Sequence, residues 1–130
     1  MLQGQTLESV TKKEAPAYNT ETMKATDEIA LCLETFVKLR PYLQDLDAFV
    51  AQVMAQQQEG YTMAAIMESA TVVAGIGFCL LTALAWGKVL YIDDLITKAS
   101  SRDKGYANSL LAYARKYAED HLFDQIYLDI

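Results

Sequence analysis

One histidine, one tryptophan, two prolines and two cysteines are all that 130 residues hold of those types. Cys32 and Cys79 lie far apart, in no metal-binding or redox spacing and within apolar runs. They read as buried reduced thiols and favour a cytosolic setting, with no metal implied. His121, the single histidine, ends a predicted helix, where a cation complements the peptide dipole; this placement is structural rather than catalytic. Positive charge is also scarce, 11 Lys and Arg against 17 Asp and Glu, a net charge of −6. That balance excludes a general nucleic-acid binder, which needs a basic face. The first residues, MLQGQTLESVTKKEAPAYN, contain no hydrophobic signal core, so secretion is not expected. Neither a Walker phosphate loop nor a GxGxxG dinucleotide fingerprint occurs.

What the chain has in quantity is apolar sequence, 52% against 22% charged, enough for one folded domain with a core of its own. Residues 69–87, SATVVAGIGFCLLTALAWG, carry no charge over about the length a bilayer crossing needs. Ser69, Thr71, Thr82 and three glycines interrupt that run, its first half is β-branched, and no basic cluster flanks it. A central strand buried on both faces gives the same pattern, and we read a strand rather than a membrane span.

Residues 1–17 are polar and aperiodic, read as a flexible leader, with the folded domain over 18–130. A first strand is expected near 18–24. Thr26 serves as an N-cap for a helix carrying Ile29, Leu33, Phe36 and Val37 and stopped by Pro41. A second helix places Leu46, Phe49, Val50, Val53 and Met54 on one face and ends at Gly60. Strands follow at 61–67, 71–84 and 88–97, then a helix with the stripe Ala107, Leu110, Leu111, Ala114 and Ala118, and a last strand at 124–130. The order β-α-α-β-β-β-α-β is that of an α+β (α/β layered) domain. Met54, Met63, Met67 and most of the eight tyrosines read as packing residues.

Between the third of these strands and the following helix lies RDKGYA. From Lys98 to Lys104 there are three positive charges and one negative, at the mouth of a helix whose free N–H groups already favour an anion. A small basic spot on an acidic protein suits a phosphorylated small molecule. The pattern R-x-x-G-x-A after an apolar strand resembles the pyrophosphate signature of the GNAT acyltransferase superfamily. ALAWGKVLYIDDLITKASSRDKGYANSLLAYARKYAED is similar to that family's fourth strand, cradle and third helix in order.

The resemblance implies an acyl-CoA N-acyltransferase fold, a central mixed, mostly antiparallel sheet flanked by helices, and acetyl transfer from acetyl-CoA to a primary amine. Backbone amides around Arg102, Asp103, Lys104, Gly105, Tyr106 and Ala107 would receive the coenzyme A pyrophosphate. Leu95, Ile96 and Thr97 would offer strand-edge groups to the pantetheine arm, with an amide near Leu95 at the developing oxyanion. Asp93 is the expected base, Asp94 the second choice. Strand alternation puts Tyr91 on the face of Asp93, and Asp94 on the other. The acidic balance favours cationic small-molecule or peptide amines, such as polyamines or lysine side chains. The alternative is a catalytically inactive acyl-CoA-binding or interaction protein on the same fold. Because the sequence stops at Ile130, the fold is expected to be C-terminally shortened, without the family's last helix and hairpin. The last strand would then have an open outer edge, through which a homodimer could form.

Overall fold

The computed structural model describes residues 2–6, 18–84 and 87–129. The elements are β1 (Leu2–Thr6), β2 (Thr20–Thr22), α1 (Thr26–Ala30), α2 (Leu33–Phe36), α3 (Leu46–Gln57), β3 (Tyr61–Glu68), β4 (Thr71–Ala83), β5 (Gly87–Thr97), α4 (Tyr106–Asp120) and β6 (Gln125–Asp129). One six-stranded sheet runs β1-β6-β5-β4-β3-β2. All neighbours pair antiparallel except β5 and β6, which are parallel. This is the mixed α+β sandwich expected from the sequence.

Two cores lie on opposite sheet faces. Alternation sends Ala64, Ile66, Ile76, Phe78, Leu90 and Ile92 to one face, where Leu110, Ala114 and Ala118 of α4 cover them. The other face packs Tyr61, Met63, Ala65 and Val72 under Ile29, Phe36, Phe49 and Val53 from α1, α2 and α3. The uncharged run at 69–87 is thus chiefly β4, paired on both sides. Among the described residues, no helix is long and apolar enough to cross a membrane.

Three expectations need correction. The helix expected between Thr26 and Pro41 is two short helices broken around Cys32. Its N-cap is Ala25 rather than Thr26. Glu28 Oε1 accepts the backbone N–H groups of Lys24 and Ala25 at 3.0 and 2.9 Å, which holds its carboxyl below the usual range. Second, Leu2–Thr6 is a strand, not part of a leader; residues 7–17 lie outside the described residues. Third, that strand pairs along the whole of β6, Leu2 opposite Asp129 through Thr6 opposite Gln125. The outer edge of β6 is therefore occupied, and a homodimer through it loses its basis.

Candidate functional site

The β5–α4 connection is a left-handed hook. After Lys98, a 3₁₀ turn at Ala99–Ser101 leads to extended Arg102, then Asp103 at φ 66° and Gly105 at φ 82°. Gly105 is the N-cap of α4. No side chain caps this helix, no acid occupies its first turn, and the N–H of Ser109 reaches back to the Gly105 carbonyl at 3.1 Å. Among the described residues, then, no side chain neutralises the positive end of this helix. Among the described residues, a Cβ at Gly105 would meet no atom within 4 Å, which leaves the space above the hook open to them.

That space is a cavity of about 470 Å³ lined by Leu95, Ile96, Thr97, Arg102, Asp103, Gly105, Tyr106, Ala107 and Asn108. Eight of the residues expected from the sequence thus come together. Lys104 does not line it, and its carbonyl accepts a 2.6 Å hydrogen bond from the Tyr18 hydroxyl. Tyr18 also donates its backbone N–H to Ser109 Oγ at 3.1 Å and lays its ring 4.5 Å from that of Tyr106. The Tyr106 hydroxyl bonds Glu68, at the end of β3; this bond, then burial, pushes its pKa up to about 12. Tyr18 and Glu68 were not singled out in the sequence, since they lie 86 and 38 residues from their partners.

On the same strand, residues 89–92 of β5 pair with residues 125–128 of β6, and the parallel ladder stops there. The β4–β5 ladder carries a bulge at this point: Gly77 faces Asp94 and Phe78 faces Ile92, so Asp93 is the extra residue. The expected alternation is corrected accordingly. Asp93 and Asp94 both project to the α1–α3 side instead of opposite faces, into a second cavity of about 350 Å³. Tyr91 lies opposite Cys79 in the register but is not among that cavity's walls.

Within this cavity Asp94 is held from two directions. Arg40 Nη2 pairs with its Oδ1 at 2.8 Å, and the Tyr61 hydroxyl donates to its Oδ2 at 2.8 Å. Burial, then the Asp94 charge, pushes the Tyr61 hydroxyl's pKa up, so it remains a donor. Tyr61 reaches this point because Gly77 has no side chain: a Cβ there would sit 1.7 Å from its hydroxyl oxygen. The Cys79 thiol donates to Asp93 Oδ2 at 3.0 Å. Burial and that bond raise its pKa to about 12, so at neutral pH it is a neutral donor and no nucleophile. Arg40 and Cys79 carry no motif that sequence could have revealed; a glycine inside an apolar strand was the available signal for Tyr61. His121 stays outside both cavities, stacked 4.1 Å from Tyr117 at the end of α4.

Comparisons with known proteins bear on the family and the fold. The model of the acetyltransferase (GNAT) family matches residues 23–130. An uncharacterized N-acetyltransferase, YhdJ, of Bacillus subtilis (strain 168) is 36% identical over 86 residues. The match covers 66% of this chain and 56% of that protein's length. A GNAT family acetyltransferase structure from Staphylococcus aureus superposes with TM-score 0.76 at 14% identity, covering 86% of this chain and 85% of its own. The structure of a predicted acetyltransferase with acetyl-CoA from Clostridium acetobutylicum gives TM-score 0.66 at 16% identity, covering 86% and 80%. By its cradle sequence, its sheet and the family match over most of its length, this chain belongs to the GNAT acetyltransferase family.

Proposed function

We propose that the chain transfers an acetyl group from acetyl-CoA to a primary amine by direct attack, without a covalent enzyme intermediate. The observation that carries this reading is the division of one strand between two cavities. Residues 95–97 line the cavity above the basic hook, and their neighbours Asp93 and Asp94 line the other. A thioester lying along this strand would have its pyrophosphate on the α4 amides and its acyl end beside the carboxylates.

The hook suits such a ligand: its leading amides lack capping side chains, Gly105 leaves the approach open, and Arg102 adds a cation. Bound acetyl-CoA supplies the activated acetyl group. A backbone amide near Leu95 hydrogen-bonds the carbonyl oxygen as negative charge grows there. Asp93 takes the proton that the ammonium must lose before its nitrogen can attack. Asp94, already held by Arg40 and Tyr61, fixes the local field rather than moving a proton.

Thiol release from acetyl-CoA in the presence of an amine tests the reading. Asp93→Asn should lower turnover at neutral pH by about tenfold or more, with partial recovery at higher pH as neutral amine becomes abundant. Coenzyme A affinity should be unchanged. Equal rates for variant and parent across pH would remove Asp93 from the role. Coenzyme binding without any turnover would identify an acyl-CoA-binding protein instead.

A further inference from the structure

In an unbroken ladder Asp93 and Asp94 would take opposite faces of the sheet. The bulge puts both on the α1–α3 side, where like charges repel and the regular register is the competing state. Arg40 is placed against that relaxation. Its Nη2 lies 2.8 Å from Asp94 Oδ1 and donates to the Asp93 carbonyl at 3.4 Å, so one nitrogen spans both residues of the bulge. Asp94 Oδ1 is buried and has no hydrogen-bond partner among the described residues; the guanidinium charge is what compensates it. Without Arg40, that oxygen keeps its burial and loses its counter-charge.

Arg40 is itself fixed from both sides. Its N–H donates to the Phe36 carbonyl at the end of α2 at 3.2 Å, and its carbonyl accepts the Leu43 N–H at 2.9 Å. The second bond closes a turn, Arg40-Pro41-Tyr42-Leu43, with proline at the position where its fixed φ suits. Leu43 in turn packs against the core of that face. The guanidinium therefore comes from a set backbone, 53 residues from Asp93 in the sequence.

We propose that Arg40 is a positioning residue, which holds the β5 bulge and with it the carboxyl groups of Asp93 and Asp94 on one face. Its bearing on proton transfer by Asp93 rests on the transferase reading above; the placement of the two carboxyl groups does not. Cys79 reports that placement, because its thiol donates to Asp93 Oδ2 at 3.0 Å. Burial, then that bond, raise the thiol's pKa to about 12. When the bulge relaxes, Asp93 turns away, the thiolate forms at lower pH, and alkylation at pH 9 speeds up. Loss of the Arg40 charge alone acts in the opposite direction, since a nearby cation favours a thiolate. The sign of the change therefore separates positioning from simple electrostatics.

The test is iodoacetamide labelling of the native protein at pH 9, read at Cys79 and Cys32 by peptide mass spectrometry, in the parent and Arg40→Ala. The Arg40 side chain is 40% exposed, so guanidinium ion at tens of millimolar has access to its place. We expect Cys79 of Arg40→Ala to label about fivefold faster than in the parent, or more. Guanidinium ion should restore most of the parent rate, and potassium ion at equal strength should not. Cys32, buried in the core of the same face, should stay unlabelled. A parent-like or slower rate at Cys79 overturns the inference. So does a rate indifferent to guanidinium ion, or a parallel rise at Cys32, which marks general loosening. Should Arg40→Ala not fold, Arg40→Lys offers one ammonium in place of the fork and should still label Cys79 about twofold faster. A parent rate in that variant overturns the inference as well. Coenzyme A affinity, by calorimetry, should match the parent in either variant. Failure of the parent to bind coenzyme A would overturn the transferase reading instead, with the placement of Asp93 still decided by the labelling.

Discussion

Gly77 and Cys79 show how single residues set the cavity beside Asp93 and Asp94. A methyl at position 77 would collide with the Tyr61 ring and hydroxyl, so Gly77→Ala must displace the group that holds Asp94. We predict a loss of about 1–3 kcal/mol, the usual cost of overpacking, read as a lowered Tm. An unchanged Tm would mean that the Tyr61 position is not fixed by Gly77. Cys79 permits a pH prediction. Its neutral form is favoured by burial and by Asp93, so ionisation is deferred from near pH 9 to about pH 12. Since the thiolate is the reactive form, alkylation in the native protein should be slow at pH 9 and rise only toward pH 12. Rapid labelling of Cys79 at pH 8 would contradict the contact with Asp93.

At the scale of elements, the start of α4 is held by parts of the chain remote from it. Tyr18 ties the Lys104 carbonyl and the Ser109 hydroxyl, and Glu68 ties Tyr106. Tyr18→Phe keeps the ring but removes the bond to Lys104. It should weaken coenzyme A binding several-fold while leaving kcat at saturating coenzyme near the parent value. A fall in kcat with unchanged affinity would place Tyr18 elsewhere in the mechanism. The hook itself was legible in the sequence because its determinants are consecutive: an apolar strand, RDKGYA, then a helix stripe. The strands β3, β4 and β5 were legible for the same reason. The bulge was not, because it is a property of pairing: Asp93 is extra only relative to Gly77 and Phe78 on a different strand. The break near Cys32 was hidden by a continuous apolar stripe, which periodicity reads as one helix. Leu2–Thr6 was hidden by polar residues, whose strand state is set by its pairing with β6.

For the molecule as a whole, two further outcomes follow. Removing residues 1–6 should uncover the edge of β6 and increase self-association by light scattering; equal scattering by both chains would mean that β1 does not protect that edge. Cys32, buried between α1 and α2 in the chain, has its pKa raised by burial to about 12. The fold therefore holds this proton more tightly than the unfolded chain does. Its contribution is full below about pH 9 and is lost as pH rises toward 12. Denaturant titrations of the parent and Cys32→Ala should differ in that pH dependence, and identical dependence would refute it. In the proposed reading, the open space above Gly105 receives the coenzyme's phosphates. Calorimetric titration of coenzyme A into the parent, Gly105→Val, Gly105→Asn and Asp93→Asn tests this directly. Valine is strained at φ 82°, whereas asparagine tolerates that conformation, so the pair separates folding from obstruction. One-to-one binding is expected for the parent and Asp93→Asn, weakened at least tenfold in both Gly105 variants. Parent-like affinity in folded Gly105→Val and Gly105→Asn, or no binding by the parent, would contradict it.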